Sequence, residues 1–71
     1  MKFFTVTKVF EAESGRLPET WYINPRFVTR IRPCGERADY KGALSVLVME
    51  ENGESWDVYC QEAPFTLVVQ L

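Results

Sequence analysis

The chain reads as mostly β (α+β): a small antiparallel sheet or partly open barrel of about five strands, with a short C-terminal helix. Three observations predict the single small sheet. Short runs rich in Phe, Val, Ile, Thr, Trp and Tyr recur along the chain, separated by Gly, Pro and Asn turn signals. Two such runs flank Glu50-Glu51-Asn52-Gly53, and Asn-Gly is the strongest short-range hairpin signal. The length of 71 residues allows one domain, and 46% apolar content argues against disorder.

Phe3 to Phe10 is the first predicted strand, with Phe4, Val6 and Lys8 on one face and Phe3, Thr5, Thr7 and Val9 on the other. Neither face is cleanly polar, so the strand is expected to be central or covered on both sides. Glu11 to Thr20 is a loop, with a turn at Ser14-Gly15 and Pro18 discouraging regular structure. Thr20 to Ile23 is a short strand stopped by Asn24-Pro25. Phe27 to Arg32 is extended again, with Phe27, Thr29 and Ile31 on one side and Val28, Arg30 and Arg32 on the other. A charged loop, Cys34 to Gly42, precedes the hairpin.

The hairpin admits two registers. A two-residue Asn52-Gly53 loop sets Glu51 opposite Glu54 and Met49 opposite Trp56. A three-residue Glu51-Asn52-Gly53 loop with a bulge sets Val48 opposite Trp56 instead, gathering Leu44, Val46, Val48, Trp56, Val58 and Cys60 on one face. Apolar patterning favours the second. It leaves Leu47, Met49 and Tyr59 on the other face, either beneath the C-terminal segment or exposed as a partner surface.

The last stretch admits two forms, and propensity alone slightly favours the strand. Pro64 suits the first helical position, and Phe65, Val68 and Val69 make an apolar stripe at helical spacing. The β-branched Thr66, Val68 and Val69 favour a strand.

Composition excludes much chemistry. There is no His, which removes the commonest general base, Ser-His and Cys-His pairs and most zinc sites. No phosphate-loop or dinucleotide fingerprint occurs. Cys34 and Cys60 make no CxxC half-site; Cys60 falls in a strand pattern and reads as buried, Cys34 as an exposed loop thiol. No cofactor, metal or small-molecule substrate is implied, and enzyme activity is not expected. No apolar run spans a bilayer, and the charge at Lys8 interrupts any signal-peptide core, so the expected compartment is the cytoplasm.

Net charge is −2, unevenly spread. Residues 21–42 hold Arg26, Arg30, Arg32, Arg37 and Lys41 against Glu36 and Asp39, whereas residues 43–71 hold five acids and no Lys or Arg. Basic strands can pair with acidic ones inside the fold, or the dipolar surface can orient a charged partner. The expected function is a non-catalytic protein-binding module, self-associating or with a separate protein partner. Its candidate residues are Arg30, Arg32, Leu47, Met49 and Tyr59. The alternative is a nucleic-acid-binding small β-barrel using Arg26, Arg30, Arg32, Arg37 and Lys41. Size and missing chemistry suit a phage- or prophage-type accessory protein.

Trp-Tyr-Ile-Asn-Pro-Arg-Phe-Val-Thr-Arg-Ile at 21–31, Leu-Ser-Val-Leu-Val at 44–48, Asn-Gly at 52–53 and Trp-Asp-Val-Tyr-Cys-Gln-Glu at 56–62 form an ordered layout. With Leu-Val-Val-Gln-Leu at 67–71, this layout resembles that of small FlbD-like proteins, short flagellar- and swarming-associated β proteins. The resemblance covers most of residues 21–71. It implies a helical C-terminus and a non-enzymatic role, and it assigns no functional residue.

Overall fold

Two residues with left-handed backbone, Asn52 (φ 53°) and Gly53 (φ 81°), turn the chain at the centre of its sheet. The structure, a computed structural model, describes residues 3–70. It contains β1 (Phe4–Lys8), β2 (Glu19–Ile23), β3 (Val28–Pro33), β4 (Ser45–Glu51), β5 (Glu54–Cys60) and a C-terminal helix α1 (Pro64–Val68). The five strands form one antiparallel sheet in the order β2-β1-β5-β4-β3. It does not close. Yet β2 and β3, its two edges, are joined by only Asn24 and a 3-10 turn at Pro25–Phe27. Such a link spans at most about 18 Å, so the sheet must curl. Asn24 holds the turn by accepting the Arg26 N–H on its side chain at 3.0 Å, and Pro25 presets the first turn position.

The hairpin takes the two-residue loop, correcting the register favoured by patterning: Glu51 opposes Glu54, Met49 opposes Trp56 and Leu47 opposes Val58. The physical reason is that β4 is covered on both faces, so neither set of apolar residues has to be sacrificed to water. With patterning neutral, the turn preference of Asn-Gly for positive φ at both positions decides the register. The like-charged Glu51 and Glu54 meet only at the tip, where Glu54 is exposed to water.

The main core gathers Phe4, Val6, Ile23, Leu47, Met49, Val58, Cys60 and Leu67, with Trp21, Phe27, Val28 and Ile31 packed around it. Val28 joins this core because the β3–β4 register shifts between Val28 and Arg30. This corrects the grouping of Val28 with Arg30 and Arg32: Thr29 is the extra residue of a bulge, and its hydroxyl donates to the Val48 carbonyl at 3.1 Å. A second, smaller cluster lies on the other side of β4 and β5: Val9, Ala43, Val46 and Tyr59, with Cys34 and Tyr40 against it. The loop between β3 and β4 therefore roofs the outer face. Tyr40 stacks on Tyr59 with ring centroids 3.7 Å apart, and the Ala12 N–H donates to the Asp39 carbonyl at 2.7 Å, tying the two long loops together.

β1 and β5 share one ladder position, Lys8 with Cys60, reinforced by bonds from the Val9 N–H to the Tyr59 carbonyl and the Gln61 N–H to the Thr7 carbonyl. Side chains from the C-terminal segment serve the rest of that edge of β1. Glu62 accepts the Thr7 N–H at 2.9 Å and the Thr7 hydroxyl at 2.7 Å, while the Gln70 carboxamide bonds both N–H and C=O of Thr5. The fully buried Ser45 hydroxyl donates to the Glu62 carbonyl, fixing where this segment leaves β5. The C-terminus is the helix implied by the resemblance rather than the strand its β-branched residues favour, with Pro64 at its first turn.

Candidate functional site

Leu67 and Gln70 are three residues apart and face the sheet together, one buried in the core and the other bonded to Thr5. That orientation turns the apolar stripe of α1 outward. Phe65 is 77% exposed, Val69 63% and Val68 50%, whereas Leu67 is fully buried. Phe65 lies three and four residues before Val68 and Val69, so the three form one continuous apolar strip. Val68 also helps line a shallow hollow of about 280 Å³ with Val28, Thr29, Arg30 and Ile31 of β3. The strip thus runs from α1 onto the edge strand.

The charge around this strip is one-sided. Residues 24–33 contain Arg26, Arg30 and Arg32 and no Asp or Glu, and residues 63–70 contain no charged residue. Arg32 bridges to Asp57 across the outer face at 3.4 Å. Arg26 and Arg30 are exposed and enter no ion pair among the described residues. The hollow that adjoins the strip therefore has Arg30, which enters no ion pair among the described residues, in its lining.

A second cluster sits on the β3–β4 loop. Arg37 donates to both carboxylate oxygens of Asp39, at 2.9 and 2.7 Å, and to the Tyr59 hydroxyl at 2.9 Å. These bonds hold the Asp39 carboxyl below its ordinary range and push the Arg37 guanidinium further up. Partial burial raises the Tyr40 phenol. With the Tyr40–Tyr59 stack, the cluster latches the loop over Val46. A hollow of about 320 Å³ beside it is bordered by Cys34, Arg37, Tyr40, Lys41 and Leu44. Arg37, Asp39 and the Tyr59 hydroxyl bond to one another, which suits a structural clasp.

Lys8 occupies a third cluster. Its ammonium lies 5.0 Å from the Phe10 ring centre and 4.8 Å from that of Trp21, and Arg16 covers Phe10 at 3.7 Å. Glu19 accepts from Trp21 Nε1 at 3.0 Å and from Arg16 at 3.1 Å, which lowers its carboxyl; desolvation lowers the Lys8 ammonium. Lys8 shares a face with Phe4 and Val6 in the strand pattern, and the aromatic rings explain how a cation is accommodated there.

The structure separates the residues singled out from sequence. Leu47 and Met49 belong to the main core and Tyr59 to the cluster beneath the loop; all three are buried, so they present no surface to a partner. The register change is the reason: it moves Tyr59 to the opposite face from Leu47 and Met49, and each face is covered. Arg30 and Arg32 share the outer face of β3, with Arg32 tied to Asp57 and Arg30 in no ion pair among the described residues. Of the segment weighed for nucleic acid, Arg37 is engaged in the latch, while Arg26 and Lys41 are exposed at separate turns. The residues missed are Phe65, Val68 and Val69, visible in the sequence as a stripe but not among its candidate binding residues. Leu67 and Gln70, at their own helical spacing, were the available signal.

Cys34 is half-buried, Cys60 fully buried, and both are free thiols. Burial pushes the Cys60 thiol up to about 12. Among the described residues no group of three or more His, Cys, Asp or Glu could hold a metal ion, and no helix is long and apolar enough to cross a membrane. Comparison with protein-family models, curated proteins and solved structures found no match.

Proposed function

We propose that this chain is a non-catalytic module that binds another protein, and that it does so through the outward strip of α1 and the adjoining part of β3. One observation carries the reading: a helix of five residues and its C-cap keep Leu67 in the core and offer Phe65, Val68 and Val69 to solvent. Single exposed apolar residues are ordinary, but a contiguous strip bordered by arginine has the composition of an interface centre. The engagement of Arg32 and Arg37 by Asp57 and Asp39 favours this reading over a phosphate-binding face along residues 26–41. The FlbD-like layout of residues 21–71 supports a role without catalysis. A cytoplasmic setting belongs to the same proposal and is supported by two free thiols.

The test is affinity capture from source-cell lysate, run beside size-exclusion with light scattering, on the wild type and a Phe65→Glu/Val69→Glu double variant. The proposal expects either a captured protein or a concentration-dependent dimer that the double variant loses. A partner or dimer retained unchanged by the double variant contradicts it.

A further inference from the structure

Resting on the protein-binding reading, we infer the chemistry of the partner: a polypeptide segment that carries carboxylates beside an apolar anchor side chain, docked between α1 and β3. The hollow at the junction of Val68 with Val28, Thr29, Arg30 and Ile31 is about 280 Å³. This lies below the roughly 300–1,000 Å³ of small-molecule sites, and it is open and shallow. It suits one or two aliphatic side chains from a larger partner.

The rim selects for charge. Arg30 lines the hollow itself and Arg26 sits at the turn that opens β3; neither has a carboxylate from its own chain among the described residues. With no Asp or Glu in residues 24–33 or 63–70, an acidic ligand meets no like charge from these elements, and a basic one meets the repulsion of Arg30. The Arg guanidinium also binds a carboxylate through two parallel bonds, giving such a ligand a fixed seat. Two other anionic partners fit less well. A five-residue helix with one arginine in the adjoining hollow gives little area or charge to hold an anionic membrane. Nucleic acid requires a longer basic track than Arg26 and Arg30, on a protein whose net charge is −2.

Selection of a random-peptide phage library on the intact protein tests this directly. The selected peptides are expected to be enriched in Asp or Glu next to Leu, Ile, Val or Phe. A synthetic copy of the dominant one should shift the amide NMR signals of Val28 to Ile31 and of Val68. Arg30→Glu, an exposed substitution, should weaken that peptide by more than about tenfold, and a copy with Lys in place of its acids should bind the variant better than the wild type. Selection without acidic enrichment, shifts confined to another surface, or unchanged affinity in Arg30→Glu would overturn the inference. So would saturable binding of phosphatidylserine-containing vesicles or of poly-dT where the acidic peptide fails. A lysate partner lost on Phe65→Glu while acidic peptides do not bind would overturn the acidic specificity and leave the binding module standing.

Discussion

Gln70 completes the backbone of Thr5, 65 positions away in sequence: its Nε2 donates to the Thr5 carbonyl at 2.8 Å while its Oε1 accepts the Thr5 N–H at 2.9 Å. The carboxamide does for Thr5 what a neighbouring strand would do, because β5 leaves β1 after Lys8 and Cys60. Glu62 plays the matching part at Thr7. Both contacts fix how α1 is rolled, and the roll decides that Leu67 is core and Phe65 is surface. Fold and proposed function therefore share one set of contacts.

The first prediction separates anchor from roll. Leu67→Ala, at a fully buried site, should cost about 3 kcal/mol. Gln70→Ala should cost about 1 kcal/mol, the net worth of partly exposed hydrogen bonds. Gln70→Glu should be no better, since it loses the donor and sets a carboxylate against the Thr5 carbonyl. Urea unfolding checks all three.

The turn gives a backbone prediction free of packing effects. Gly53 sits at φ 81° with nothing within 4 Å of an added Cβ, so Gly53→Ala tests conformation alone. It should destabilise by about 1–2 kcal/mol. Asn52→Gly should be nearly neutral, within roughly 0.5 kcal/mol, because glycine adopts the same φ freely. A three-residue loop would show a different pattern, with Asn52→Gly destabilising as well.

Acid should release the latch before it unfolds the sheet. Hydrogen bonds from Arg37 hold the Asp39 carboxyl below its ordinary value, so the stabilisation is fully present above the unfolded pKa of about 4. It is lost as pH falls through the lower folded value, and nothing changes between pH 5 and 8 on this account. The Tyr40 and Tyr59 ring resonances should move together in acid. Asp39→Asn should reproduce that movement at neutral pH, and high salt should weaken the exposed pair in the same direction.

The two thiols should differ sharply. Cys60 is fully buried with its thiol pushed up to about 12, so a thiol reagent at pH 8 should leave it intact until the protein unfolds. Cys34 is half-buried in a loop and should react in the native state. One equivalent labelled in buffer and two in denaturant is the expected count.

Strand order was not readable from sequence, but strand existence was up to Cys60: each β-prone run bounded by Gly, Pro or Asn became a strand, whereas the run after Pro64 became α1. The hairpin register was misread for a definite reason. Leu47 and Val46 are both buried, each on its own side of β4, so apolar patterning carries no preference between the two registers. The second cover is the loop with Tyr40, whose aromatic ring amid charged neighbours was its only sequence signal. Val28 was grouped with the basic face because a bulge at Thr29 breaks the alternation, and bulges leave little trace in a single sequence. The α1 strip was visible as a strip; which way it faced depended on Gln70 finding Thr5, a contact no local pattern encodes.

The most direct measurement pairs melting temperature with partner or self capture for Phe65→Glu and Met49→Glu. Met49 is core and Phe65 is surface, so Met49→Glu should lose both stability and capture, while Phe65→Glu should keep the wild-type melting temperature and lose capture. Undiminished capture by a folded Phe65→Glu variant would contradict the central claim that the outward face of α1 is the binding surface.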